Sequence, residues 1–101
     1  MKLVYRAYTQ GRWYIVVSQE EDGPWYHGYM TVTKEEAESL RKADYLKFIG
    51  KAKDADLAGE LDPDQLIVGV DTADPGNAGM AVAIVLNRLG LITDNLGRQQ
   101  A

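Results

Sequence analysis

The 101-residue sequence contains no cysteine and only one histidine, His27. Without cysteine there is no disulfide framework and no thiolate metal site, which favours a reducing, cytoplasmic compartment over a small secreted scaffold. A histidine-rich metal site or a Ser-His-Asp triad is disfavoured too, because either one would depend wholly on His27. Its position between Tyr26 and Gly28 on a predicted strand indicates a cross-strand packing role instead.

Long hydrophobic runs are also missing. The longest, residues 78–86, is about half of what a membrane-spanning helix needs, and Arg6 interrupts the N-terminus before an apolar stretch of signal-peptide length develops. Hydrophobic residues make up 46% and charged residues 26% of the chain, as in ordinary soluble domains. We therefore expect one soluble domain over residues 1–101, with residues 93–101 as a frayed polar tail.

Basic residues are scarce in the second half of the chain. Residues 1–53 hold nine Lys/Arg and seven Asp/Glu, whereas residues 54–101 hold two and eight, and the net charge is −4. No basic residue stands between Lys53 and Arg88. This stretch should repel a phosphate backbone and attract a cation or a basic surface, unless it is simply a solvated acidic surface.

The aromatic and β-branched runs at residues 3–8 and 13–18 flank Gln10 and Gly11, which predicts a β-hairpin. A two-residue turn would place Tyr8 opposite Trp13, Arg6 opposite Ile15 and Val4 opposite Val17. A polar turn at residues 19–24 then leads to a third antiparallel strand at residues 25–32. The N-terminal third is thus predicted to be a three-stranded meander.

A capping box marks the start of a helix, because Glu36 stands three residues after Thr33. The apolar stripe of this helix is predicted to comprise Leu40, Ala43, Leu46 and Ile49, with Gly50 as its stop. A short helical turn and a loop should occupy residues 51–65.

Residues 66–70 form a continuous apolar run that predicts a buried strand ending at Asp71. Residues 80–86 are compatible with a strand or a helix, and a helix is favoured. The predicted class is α+β, with a three-stranded antiparallel meander followed by a helix, then one further strand and an apolar C-terminal helix (or strand). Leu66, Val68 and Ile84 are the predicted core of this half.

The segment Leu66-Ile67-Val68-Gly69-Val70-Asp71, followed by a loop and a second apolar run, resembles the first hairpin of RNase H-like nucleases, including phage terminase nuclease domains. The resemblance implies that Asp71 binds a catalytic Mg²⁺, with Asp74 as a second candidate ligand. A metal-dependent phosphoesterase is therefore one alternative function. In the other interpretation, Asp71 caps the turn or helix that follows the strand.

Residues 10–43, with a Gly-Arg-Trp-Tyr strand, a further strand and a helix opening at Val32-Thr33-Lys34-Glu35-Glu36, resemble the arm-type DNA-binding modules of phage integrases. The resemblance implies a sheet that lies in the major groove. Such sheets are rich in Lys and Arg, whereas the third strand here has no basic residue other than His27. Nucleic-acid binding is therefore a disfavoured alternative.

All the aromatic residues lie between Tyr5 and Phe48. One helix can cover only one face of a three-stranded sheet, so the other face is a candidate surface for a protein partner, unless the C-terminal half covers it. Its candidate residues are Tyr8, Trp13, Ile15, Trp25 and Tyr29. With no credible catalytic set, we expect a non-enzymatic protein-binding module or inhibitor without a cofactor. We further expect it to form homo-oligomers, and proteins of this size and plainness are common among phage and mobile-element accessory proteins.

Overall fold

A computed structural model describes residues 2–19, 25–73 and 78–100. It contains five strands in one antiparallel sheet with the spatial order β1-β2-β3-β5-β4, and two α-helices. The elements are β1 (Lys2–Thr9), β2 (Arg12–Gln19), β3 (Trp25–Thr31), α1 (Lys34–Leu40), β4 (Phe48–Lys51), a 3-10 helix (Ala52–Ala55), β5 (Leu66–Ala73) and α2 (Ala78–Gln100). The predicted α+β class and the meander are confirmed. The predicted turn at residues 19–24 lies almost wholly outside the described residues.

The β1–β2 hairpin has the predicted two-residue turn. Gln10 and Gly11 have φ angles of 54° and 81°, the two left-handed residues that a type I′ turn requires. Tyr8 pairs with Trp13, and Arg6 with Ile15, as predicted. The predicted Val4–Val17 pair is wrong, because Leu3 pairs with Val17 and Tyr5 with Val16. A β-bulge at Val4 therefore ends the regular register.

The capping box at the start of α1 is confirmed. Thr33 Oγ1 accepts from Glu36 N at 3.1 Å, and Glu36 Oε1 accepts from Thr33 N at 2.9 Å. The predicted extension of this helix to Ile49 is wrong, since α1 ends at Leu40 and the chain becomes β4 at Phe48.

Tertiary hydrogen bonding explains this change. Lys47 N donates to Gly69 O at 2.9 Å, and Phe48 and Ile49 pair with Gly69 and Val68 of β5. β4 was missed because its partner strand lies about twenty residues further along the chain. The sheet thus has two further strands after α1 instead of the one predicted.

Both helices pack on the same face of the sheet, here called the helix face. The predicted buried strand is confirmed in β5, although it continues past Asp71 to Ala73. The predicted C-terminal helix is also confirmed, and its buried stripe comprises Ala81, Val85, Leu89, Ile92 and Leu96. Of the predicted core residues, Val68 is buried, whereas Leu66 and Ile84 are only half-buried.

Helix α2 also continues across residues 93–100, where a frayed tail was predicted. Leu96 is only 2% exposed because it joins the core cluster, and this contact holds the last turns of the helix on the sheet. By length and composition alone, Gly79–Gly97 meets the threshold for a membrane-spanning helix. Here its apolar stripe is the main layer that covers the helix face.

The opposite face of the sheet is covered by residues 52–61, here called the covering segment. Leu57 of this segment is 1% exposed and packs with Ile15, Val17 and Ile67 in a second core cluster. The segment reaches the far edge of the sheet, where Glu60 meets Arg6 of β1. The domain therefore has two cores, one on each side of a single sheet.

Candidate functional site

The five predicted partner-surface residues lie on the face of the covering segment, because their strand positions alternate with those of the helix-face core. In the structure these five residues do not form one continuous exposed patch. Ile15 is 0% exposed beneath Leu57 and is a core residue, so its assignment to a partner surface was wrong. Trp13 and Tyr29 are half-buried, whereas Tyr8 and Trp25 are exposed.

Tyr8 and Trp13 form an aromatic pair beside the hairpin turn. Their ring centroids are 5.2 Å apart at an interplanar angle of 60°, and the Arg6 guanidinium lies 4.2 Å from the Trp13 ring. Arg6 also pairs with Glu60, with Nε 3.7 Å from Oε2. The two rings and the Arg6 guanidinium thus stabilise one another at the end of β1 that leads into the hairpin turn.

Trp25 stands at the other end of the same face. It pairs with Gln19, six residues along β2 from Trp13, so the two indoles are about 20 Å apart at the rise of an antiparallel strand. The covering segment crosses the sheet between them. The aromatic face is thereby divided into two smaller exposed ends.

His27 and Tyr29 lie near the Trp25 end, beside a groove of ≈ 350 Å³. The two rings stack at 6.4 Å, and Tyr29 meets Phe48 edge-on at 6.0 Å. His27 Nε2 lies 3.2 Å from Gln19 Oε1, which fits the packing role expected from the sequence. Burial, followed by the charges of Asp56 and Asp71, raises the pKa of Tyr29.

Asp71 does not stand at a strand end. It lies within β5 directly opposite His27 of β3. The segment after β5 is helix α2, so the hairpin implied by the resemblance to RNase H-like nucleases does not form. Asp74 lies outside the described residues, and among those described no three His, Cys, Asp or Glu side chains are grouped to hold a metal ion.

A buried ion pair joins β2 to α1. Arg12 donates from Nη1 to Glu36 Oε1 at 2.9 Å and to Thr31 O at 3.0 Å, and from Nη2 to Glu36 Oε2. The side chains are only 16% and 6% exposed. The hydrogen bonds that Arg12 donates to Glu36 lower the pKa of Glu36, and the same bonds raise the pKa of Arg12. The capping role of Glu36 was predicted from the sequence, whereas its partner across the fold, Arg12, was not.

Strand β1 is the least covered part of the sheet. Each of its eight residues is exposed or half-buried, and Leu3, Tyr5 and Tyr8 are 41%, 37% and 61% exposed. Within the described residues no strand pairs with its outer edge. Of these three residues, only Tyr8 was a predicted partner-surface residue, and the exposure of Leu3 and Tyr5 was not predicted.

Comparison with protein families, curated proteins and solved structures found no match to this chain. Its function must therefore be inferred from its own residues.

Proposed function

We propose that this domain is a non-enzymatic protein-binding module that self-associates by pairing its β1 edge with the β1 edge of a second copy. The observation that carries this proposal is the exposure of β1, whose outer edge pairs with no strand among the described residues and which has three exposed large apolar side chains, Leu3, Tyr5 and Tyr8. Long apolar edge strands are templates for pairing with another chain. The absence of cysteine supports a cytoplasmic location for the module.

The first part of β1 is protected against such pairing, and the second part is not. Lys2 and the bulge at Val4 are devices that natural edges use to prevent association. Residues 5–9 contain no bulge and no proline, and their one charged side chain, Arg6, is held by Trp13 and Glu60 on one face of the sheet. This five-residue stretch is therefore the part of the edge that is free to form a regular ladder.

The side chains of β1 favour one register when the strand pairs antiparallel with its copy about a twofold axis. Directly opposite residues share a face, and a twofold axis at Ala7 places Arg6 opposite Tyr8 of the second copy. An axis at Arg6 would set two guanidinium groups against each other, which destabilises a pair. An axis at Tyr5 would carry the ladder across the bulge at Val4. An axis at Tyr8 or Thr9 would leave three or fewer residues in the ladder, because β1 ends at Thr9. The axis at Ala7 avoids these conflicts and would bring the Arg6 guanidinium near the Tyr8 ring of the second copy.

The absence of cysteine makes this register directly testable with single cysteine variants. Opposite Cα atoms in an antiparallel pair are about 4.5–5.5 Å apart, which a disulfide can bridge. Ala7→Cys should therefore give a covalent dimer under mild oxidation. Lys51→Cys, on the edge strand at the other side of the sheet, is the matched control and should remain a monomer.

Light scattering of the unmodified protein tests self-association independently of the cross-link. We expect the mass of a dimer. A folded monomer throughout the micromolar range would refute self-association. A dimer that cross-links through Lys51→Cys and not through Ala7→Cys would refute the assignment of the interface to β1.

A further inference from the structure

A second surface feature lies at the far side of the sheet from β1. Strand β4 pairs only with residues 66–69 of β5, and β5 continues to Ala73 without it. The chain turns away from this edge at Lys47, whose N–H is bonded to Gly69 O. A cavity of ≈ 360 Å³ remains between β5 and α2.

The walls of this cavity are mainly apolar. Val70 and Ile92 form its inner side and are 4% and 2% exposed. Tyr45 and Leu91 form its rim and are 50% and 57% exposed. Tyr45 and Leu91 are thus half-exposed at the rim of one concave site. Concave, mainly apolar sites of this kind are typical of small-molecule pockets.

Three charged residues line the cavity, and two of them are basic. Lys47 and Arg88 both line it, and Arg88 is the single basic residue between Lys53 and Arg98. Asp71 also lines the cavity, and its backbone carbonyl accepts from Arg88 Nη1. Its carboxylate belongs to the other face, since Val70 packs on the helix face and strand side chains alternate. The charge of Asp71 acts on Tyr29 of that face.

The backbone carbonyl of Asp71 orients the Arg88 guanidinium but accepts from only one of its nitrogens. One of its donors is engaged by Asp71 O, and a guanidinium has five N–H donors in a fixed fork. A carboxylate matches this fork with two parallel hydrogen bonds. The amide of Asn95 lines the same cavity and offers a further polar contact.

We infer that this cavity binds a small molecule with an apolar body and one carboxylate. The carboxylate lies between Arg88 and Lys47, and the apolar body lies against Val70, Leu91 and Ile92. The volume falls in the range of about 300–1,000 Å³ that small-molecule sites occupy. This inference is independent of the β1 interface, because it concerns the opposite edge of the sheet.

The test uses three probes of equal chain length, which are octanoate, 1-octanol and octylamine. Isothermal titration calorimetry of the full chain should show saturable binding of octanoate. Binding of octanol should be at least about tenfold weaker, since hydrogen bonds to a charged group contribute about 1.5–3 kcal/mol. Octylammonium should not bind. Equal affinity for octanoate and octanol would overturn the inference.

Variants assign the binding to this cavity. Lys47→Gln and Arg88→Gln should each weaken octanoate binding severalfold, and Lys53→Gln should not, because Lys53 Nζ lies 3.5 Å from Asp64 Oδ1, outside the cavity lining. Leu91→Asp should abolish binding, whereas the uncharged Leu91→Asn should only weaken it. These two variants are expected to fold, since Leu91 is 57% exposed. Octanoate affinity unchanged in both Leu91→Asp and Lys47→Gln would refute the site.

Discussion

Replacing Glu36 by glutamine tests whether the Arg12–Glu36 ion pair holds α1 onto the sheet. Both side chains are largely buried, and the Glu36 carboxylate accepts from two Arg12 nitrogens and from the backbone N–H of Thr33. Removing one charge of a buried pair costs about 3–5 kcal/mol, because the other charge stays buried without its partner. Glutamine keeps the side-chain volume and can still bond Thr33 N. Because Arg12 is still 16% exposed and borders a surface groove, we expect Glu36→Gln to lose about 2 kcal/mol, between the values for a surface pair and a fully buried one.

Urea denaturation at pH 7 measures this loss, and Glu38→Gln is its matched control. Glu38 is an exposed carboxylate on the same helix that pairs with Arg41 at 3.0 Å, with side chains 56% and 67% exposed. Surface pairs of this kind contribute about 0–1 kcal/mol. A loss for Glu36→Gln no larger than that for Glu38→Gln would refute the reasoning.

The same pair predicts a pH dependence. The pKa of Glu36 is lowered in the folded state, first by the hydrogen bond from Arg12. Its stabilising contribution is therefore fully present above its unfolded pKa of about 4.3 and is lost as the pH falls through the folded value. The unmodified protein should lose more stability than Glu36→Gln between pH 6 and pH 3. Parallel pH profiles would contradict the assignment.

Two other substitutions test the packing on either side of the sheet. Gly28→Ala should destabilise the fold by about 1–3 kcal/mol through overpacking, because its Cβ would lie 2.9 Å from Val85 Cβ. Gly59→Ala, with no atom within 4 Å of the added Cβ, is the control, and equal urea midpoints for the two would refute the close contact. Trp13→Ala should lose about 1–2 kcal/mol from its contacts with Tyr8 and Arg6. Trp25→Ala, at the other end of the same face, is the control. An equal loss of unfolding free energy in Trp25→Ala would show that the contacts of Trp13 with Tyr8 and Arg6 are not the cause.

The parts of the fold that were predicted correctly depend on neighbouring residues. Gln10 and Gly11 specify the hairpin turn, Thr33 and Glu36 specify the helix start, and the apolar run of β5 specifies a buried strand. Each signal acts within a few residues, where propensity and capping dominate. The three-stranded meander and the class of the domain follow from them.

The parts that were predicted wrongly depend on distant partners. The spacing of Leu40, Ala43, Leu46 and Ile49 fits a helix, but hydrogen bonds to β5 convert the second half of this stretch into β4. Leu96 resembles an isolated apolar residue in a polar tail, and only its contact with the core on the sheet extends α2. Local propensity is a weak prior where tertiary contacts of this kind compete with it.

The covering segment explains why the aromatic face was only partly predicted. Its sequence over residues 52–61 contains only two large apolar residues, Leu57 and Leu61, so nothing local marks it as a layer of the core. Leu57 nevertheless buries Ile15 and Val17, because a 3-10 helix and a left-handed Asp56, with φ of 58°, bend the chain across the sheet. The coverage ends at the Arg6–Glu60 contact. Beyond that contact Leu3, Tyr5 and Tyr8 of β1 are 37–61% exposed, and a second copy is the partner that we propose for this edge.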